Sequence, residues 1–153
     1  MSVETALVCV VASIIVKLVV PETDRVSARA IWASWVEGEA LVIGPAHMPL
    51  EVLNGIRRSL LSSLLSAEEA SEAVERVAGL PVLTFEAEQL GLPDLWSRFM
   101  ESFDARVTPY DAAYLQVASP FGCELWTADD RLVRAVGEQL PWVRSLSEIT
   151  ESE

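Results

Sequence analysis

Three acidic residues stand among apolar or small neighbours, where a solvated acid has no evident reason to be. They are Glu51 in MPLEVLNGIRR, Asp111 in TPYDAAYLQVA and Asp129 in LWTADDRLVRAV. They are far apart in sequence, yet each lies at or near the start of a predicted helix. In an open α/β sheet such positions converge at the carboxyl ends of the strands, where ligands bind. Three converging carboxylates repel one another unless a divalent cation lies between them. Hard oxygen ligands of this kind suit Mg²⁺, so the chemistry they suggest is metal-assisted. The first strand–helix junction, VCVVAS, carries Val11 where a fourth acid would complete the cluster.

Each acid also has a structural explanation to weigh. Asp111 stands three residues after Thr108, with Pro109 between them, in a capping-box pattern. Asp129 follows Thr127 at a strand end, and the adjacent Asp130 competes with it evenly as the site acid. Glu51 shares a helix face with Asn54, Gly55 and Arg58, while Leu50, Leu53, Leu60 and Leu61, with Ile56 beside them, are the expected buried stripe. Singly these acids are more often structural. Jointly, at three such positions of one sheet, they favour a site. The lone His47 is assigned no role. The five tryptophans are expected in the core or an interface, and LLSSLLS suits a dimer contact or core packing equally.

The elements that must position these acids alternate in type. Residues 5–11 form a β-branched strand that runs into a short helix carrying Ser13 near its start. A helix after Pro21 extends to about Glu37, and Leu41 to Ile43 form the second strand. A helix follows Pro45 to about Leu65, and Ser66 with Glu69 caps the next. A third strand, Val82 to Phe85, precedes a helix over 93–106 and another beginning around Asp111. The fourth strand, Glu124 to Thr127, leads into a helix over 128–138, with a short strand at Trp142 to Arg144. This alternation predicts an α/β fold with a parallel sheet covered on both faces. One domain over 1–146 is expected, with a frayed tail over 147–153.

Composition narrows the function. The chain has 153 residues and a net charge of −12, from 23 acids against 11 bases. Such a chain cannot hold nucleic acid through a broad basic face, so any nucleic-acid chemistry needs a local site. Its acidity suits a basic partner protein. Cys9 and Cys123 read as free thiols, which places the protein in a reducing cytoplasm. One histidine and no CxxC argue against structural zinc. The apolar run over 6–20 is short for a membrane span and is interrupted by Lys17, so no membrane association is expected.

Four segments in order resemble the PIN domains, and within them the small VapC-like toxins of VapBC toxin–antitoxin pairs. VCVVASIIVKLVVPE is similar to the family's opening strand and helix, which normally carries Asp where Val11 stands. MPLEVLNGIRR bears the second acid, Glu51. TPYDAAYLQVA bears the third, Asp111. LWTADDRLVRA bears the fourth, Asp129, with Thr127 ahead of it. The likeness runs from about Leu7 to Val136. It implies a three-layer α/β/α sandwich around a five-stranded parallel sheet. It further implies Mg²⁺- or Mn²⁺-dependent cleavage of RNA, a homodimer and a cognate basic antitoxin. On this pattern Asp111, Glu51 and Asp129 would be the metal and catalytic acids, and Ser13 and Thr127 would hydrogen-bond the phosphate or a metal-bound water.

Valine cannot coordinate a cation, so the resemblance also implies weakened metal binding and impaired cleavage in this chain. A disarmed copy of a toxin gene and a natural pseudo-enzyme both account for Val11. The alternative function is a non-catalytic PIN-like module that binds a basic antitoxin-like partner. An aspartyl-phosphate phosphatase or receiver fits less well, because it needs a nucleophilic acid after the first strand.

Overall fold

The structure is a computed structural model that describes residues 6–21, 25–101 and 107–151. Its first strand, β1 (Leu7–Val10), is apolar throughout, as a strand covered on both faces must be. The chain passes at once into α1 (Ala12–Val19) and then α2 (Arg25–Glu37). β2 (Leu41–Pro45) is followed by α3 (Met48–Leu61) and α4 (Ala67–Ala78). β3 (Val82–Phe85) leads through α5 (Ala87–Leu90) and α6 (Leu92–Glu101) to α7 (Pro109–Ala118). β4 (Glu124–Thr127), α8 (Asp130–Val136), β5 (Val143–Ser145) and α9 (Ser147–Glu151) complete the order.

The five strands pair in parallel in the order β3-β2-β1-β4-β5. The chain winds outward from β1 in one direction and then restarts on its other side at β4. The crevice between the carboxyl ends of β1 and β4 is therefore the topological switch point. α7 lies across β1, β2 and β4, with α5 and α6 packed against it. α1, with α2, α3 and α4 around it, forms the opposite layer. The expected three-layer α/β/α sandwich is thus observed.

Two packing features set where α3 stands. Gly55 faces Val16 of α1 so closely that an added Cβ would lie 2.6 Å from Val16 Cγ2. Only glycine lets the two helices approach at that point. The buried face of α3 is Met48, Val52, Gly55, Ile56 and Ser59. This corrects the expected leucine stripe: Leu50 and Leu61 are 69% and 68% exposed, and Leu53 and Leu60 are also exposed.

Smaller departures have local causes. The 93–106 helix is described only as far as Glu101, since 102–106 lie outside the described residues. The segment from Ser147, where fraying was expected, forms α9 through Glu151. Glu148 there accepts hydrogen bonds from Arg144 Nε at 2.7 Å and from the Ser145 amide at 3.2 Å, and Ile149 packs on the core. Both capping boxes read from sequence, Ser66–Glu69 and Thr108–Asp111, are present with their reciprocal bonds. Cys9 and Cys123 are free thiols. Of the tryptophans, Trp126 is buried and stacks edge-on with Trp35, whereas Trp96 is exposed. Among the described residues no helix is long and apolar enough to cross a membrane.

Candidate functional site

A cavity of about 600 Å³ opens at the switch point. Glu51, Asp111, Asp129, Val11, Ser13 and Thr127 all line it, together with Asn54, Gly55 and Arg58 of α3. The face of α3 singled out by spacing alone is therefore the one turned to the cavity.

Each carboxylate arrives by its own route. Glu51 stands in the first turn of α3. Asp111 is the N3 residue of α7, and its Oδ2 accepts the Thr108 amide at 3.0 Å. Asp129 is the N-cap of α8, and its Oδ1 accepts the Arg131 amide at 2.9 Å. An acid at a helix start also gains from the positive end of the helix dipole. The neighbouring Asp130 turns away, accepting hydrogen bonds from the hydroxyls of Ser145 and Ser147. Position 129, not 130, thus presents its carboxylate to the cavity.

Hydroxyls fasten the two strand ends that frame the site. Ser13 Oγ accepts the Ala128 amide at 3.0 Å, and Thr127 Oγ1 accepts the Asp129 amide at 3.0 Å. The two side chains are 3.4 Å apart, Thr127 being fully buried. Val11 is the N-cap of α1 and makes no side-chain capping bond. Its amide donates to Trp126 O at 2.9 Å, which ties the β1 exit to β4.

Three further residues are engaged with the acids. Tyr114, one turn beyond Asp111 on α7, donates its hydroxyl to Glu51 Oε1 at 2.9 Å and accepts the Ala12 amide at 3.3 Å. Burial, and next the Glu51 carboxylate, push its phenol far above the ordinary range, so it remains a donor. His47 Nε2 lies 3.0 Å from the same Glu51 oxygen. That nitrogen is buried and makes no aligned hydrogen bond, so the contact counts as an ion pair only when the imidazole is protonated. The ring is wedged between Tyr110 and Tyr114. Arg131 Nη2 sits 3.1 Å from Asp129 Oδ2 and 3.6 Å from Asp111 Oδ2.

A model of the PIN domain matches residues 8–138. The chain belongs to the PIN-domain family. This PIN domain is 34% identical over 129 residues to Ribonuclease VapC3 of Mycobacterium tuberculosis, in both strain CDC 1551 / Oshkosh and strain ATCC 25618 / H37Rv. The alignment covers 84% of this chain and 86% of each relative, and the chain is VapC-like. The crystal structure of PAE2754 from Pyrobaculum aerophilum shares the fold, with a TM-score of 0.60 at 18% identity, over 95% of this chain and 96% of that one.

The family implies a divalent cation, and the donor set of this PIN domain does not fit one as it stands. Val11 offers no oxygen. Among the described residues no three His, Cys, Asp or Glu side chains come together as a group that could hold a metal ion. The acids are engaged by protein groups instead: Glu51 by Tyr114, Asp111 by the Thr108 amide, and Asp129 by Arg131. Three acids share one cavity, and each is engaged by groups of the protein itself.

Sequence reasoning missed Tyr114, Arg131 and the placement of His47. Tyr114 is 63 positions from Glu51, and no spacing rule links them. Arg131 had a faint signal, since it stands two residues past an N-cap acid and could reach back to it. His47 precedes Glu51 by four residues, a helical spacing that brings side chains together.

Proposed function

We propose that this chain is a VapC-like toxin descended from RNA-cleaving PIN domains, with its own ribonuclease activity impaired because Val11 replaces the first acid. The observation that carries this reading is the convergence of Glu51, Asp111 and Asp129 on one cavity at the switch point, with Val11, Ser13 and Thr127 around it. Membership of the PIN family and the kinship with a ribonuclease support the same reading.

On this reading the substrate is RNA, and its backbone enters the cavity rather than lying on a basic face, which a chain of net charge −12 does not have. Glu51, Asp111 and Asp129 are the inherited catalytic and metal acids. Ser13 supplies a hydroxyl toward the phosphate, and Thr127, fully buried behind it, holds the Asp129 amide. Mg²⁺ or Mn²⁺ is the inherited cofactor, bound weakly here because the present donors do not close around it. The partner is a basic antitoxin drawn by complementary charge. A homodimer in the cytoplasm completes the proposal. The exposed leucines of α3, chiefly Leu50 and Leu61, leave apolar surface that a second copy would cover.

The engagement of the three acids by protein groups favours a second reading as well, a PIN-like module that binds its partner and cuts nothing. Cleavage of a structured RNA in Mn²⁺ by the natural chain and by Val11→Asp separates the two. The toxin reading expects at least a tenfold gain in Val11→Asp, since even groups outside the ligand shell change activity by about 10–100-fold. No gain in a folded Val11→Asp protein favours the binding module.

A further inference from the structure

We infer that Arg131 acts as a built-in cation at two of the cavity's acids: its guanidinium bridges Asp111 and Asp129 and so competes directly with any divalent ion for both carboxylates. The inference rests on reading the cavity as an inherited metal site, and it adds a block to metal binding that is independent of Val11.

The geometry is specific. One nitrogen, Nη2, approaches Asp129 Oδ2 at 3.1 Å and Asp111 Oδ2 at 3.6 Å. These two acids come from successive helices, α7 and α8, and Arg131 lies within ion-pair distance of both. The guanidinium is delivered by a fixed local structure. Asp129 caps α8 by accepting the Arg131 amide, so backbone and side chain of one residue engage both oxygens of one carboxylate. Asp111 is the least exposed of the three partners, with 17% of its side chain accessible, so its charge is the most in need of a counter-ion.

Arginine also differs from the other cations that could serve. A guanidinium does not lose its proton at any accessible pH, whereas imidazole or a buried amine would. Restoring an acid at position 11 supplies a new oxygen but leaves the guanidinium in place. Full recovery of metal binding requires both changes.

The test is Mn²⁺ binding, followed by loss of the free-ion electron paramagnetic resonance signal. It is run on the whole chain and on Arg131→Gln, Val11→Asp and the double variant. Arg131→Gln should tighten Mn²⁺ binding about two- to fivefold in both backgrounds, the scale expected for removing a partly exposed competing charge. Arg131→Lys retains charge without the planar fork and should fall between the natural chain and Arg131→Gln. It also serves if the glutamine variant does not fold. Unchanged or weaker Mn²⁺ binding in Arg131→Gln overturns the inference. If Val11→Asp tightens binding while Arg131→Gln does not, only the role of Arg131 falls. If neither does, the reading of the cavity as a metal site falls with it.

Discussion

The Tyr114 hydroxyl donates to Glu51 at 2.9 Å while accepting the Ala12 amide at 3.3 Å. One side chain thereby links α7, α3 and the exit of β1, the three parts of the chain that must meet to form the site. Glu51 is placed by this contact as much as by its own helix.

Tyr114→Phe should therefore cost stability. It leaves a buried amide and a carboxylate each without one partner, worth about 1–3 kcal/mol. Urea unfolding of Tyr114→Phe, Glu51→Gln and the double variant gives the coupling between them. A coupling energy near zero would show that the bond contributes nothing to the fold.

Alkaline pH should weaken the fold in two steps. Burial pushes the Cys9 thiol well up, and burial with the Glu51 charge pushes the Tyr114 phenol up. A folded-state pKa above the unfolded value means stability that is intact at low pH and declines once the unfolded group ionises. With unfolded values of about 8.5 for Cys and about 10 for Tyr, the decline begins above about pH 8.5 and steepens above about pH 10. Urea midpoints from pH 7 to 11 test this. Cys9→Ala should shrink the first step, to which the Cys123 thiol, also raised by burial, contributes, and Tyr114→Phe should remove the second.

Gly55→Ala should destabilise the fold by about 1–3 kcal/mol, because the new methyl would overlap Val16 Cγ2. The better helix propensity of alanine returns at most about 1 kcal/mol. Val16→Ala in the same chain should recover part of the loss. A thermal midpoint for Gly55→Ala equal to or above that of the natural chain would show that α1 and α3 can part there without cost.

Much of this arrangement was legible in the sequence, and the failures have physical reasons. β1 was readable because a strand buried on both faces must be continuously apolar. Asp111 was readable because a capping box has fixed spacing. The core face of α3 was not, since that helix is apolar on two sides: Met48, Val52 and Ile56 on one, Leu50, Leu53 and Leu61 on the other. Periodicity finds both stripes and cannot rank them. The small residues Gly55 and Ser59 were the better guide, because close helix approach selects for them. Asp129 and Asp130 could be separated only by knowing that Ser145 and Ser147 capture the second. The engagement of the acids by Tyr114 and Arg131 depends on tertiary contacts that no local pattern encodes.

The central claim is that Glu51, Asp111 and Asp129 form one inherited catalytic site that lacks its acid at position 11. Initial rates of RNA cleavage in Mn²⁺ test it most directly, measured for the natural chain, for Val11→Asp, and for Val11→Asp combined in turn with Glu51→Gln, Asp111→Asn and Asp129→Asn. The account predicts slow or no cleavage by the natural chain, a gain of at least about tenfold in Val11→Asp, and loss of that gain in all three combinations. Cleavage by the natural chain as fast as by Val11→Asp, or a gain that survives removal of any of the three acids, would contradict it.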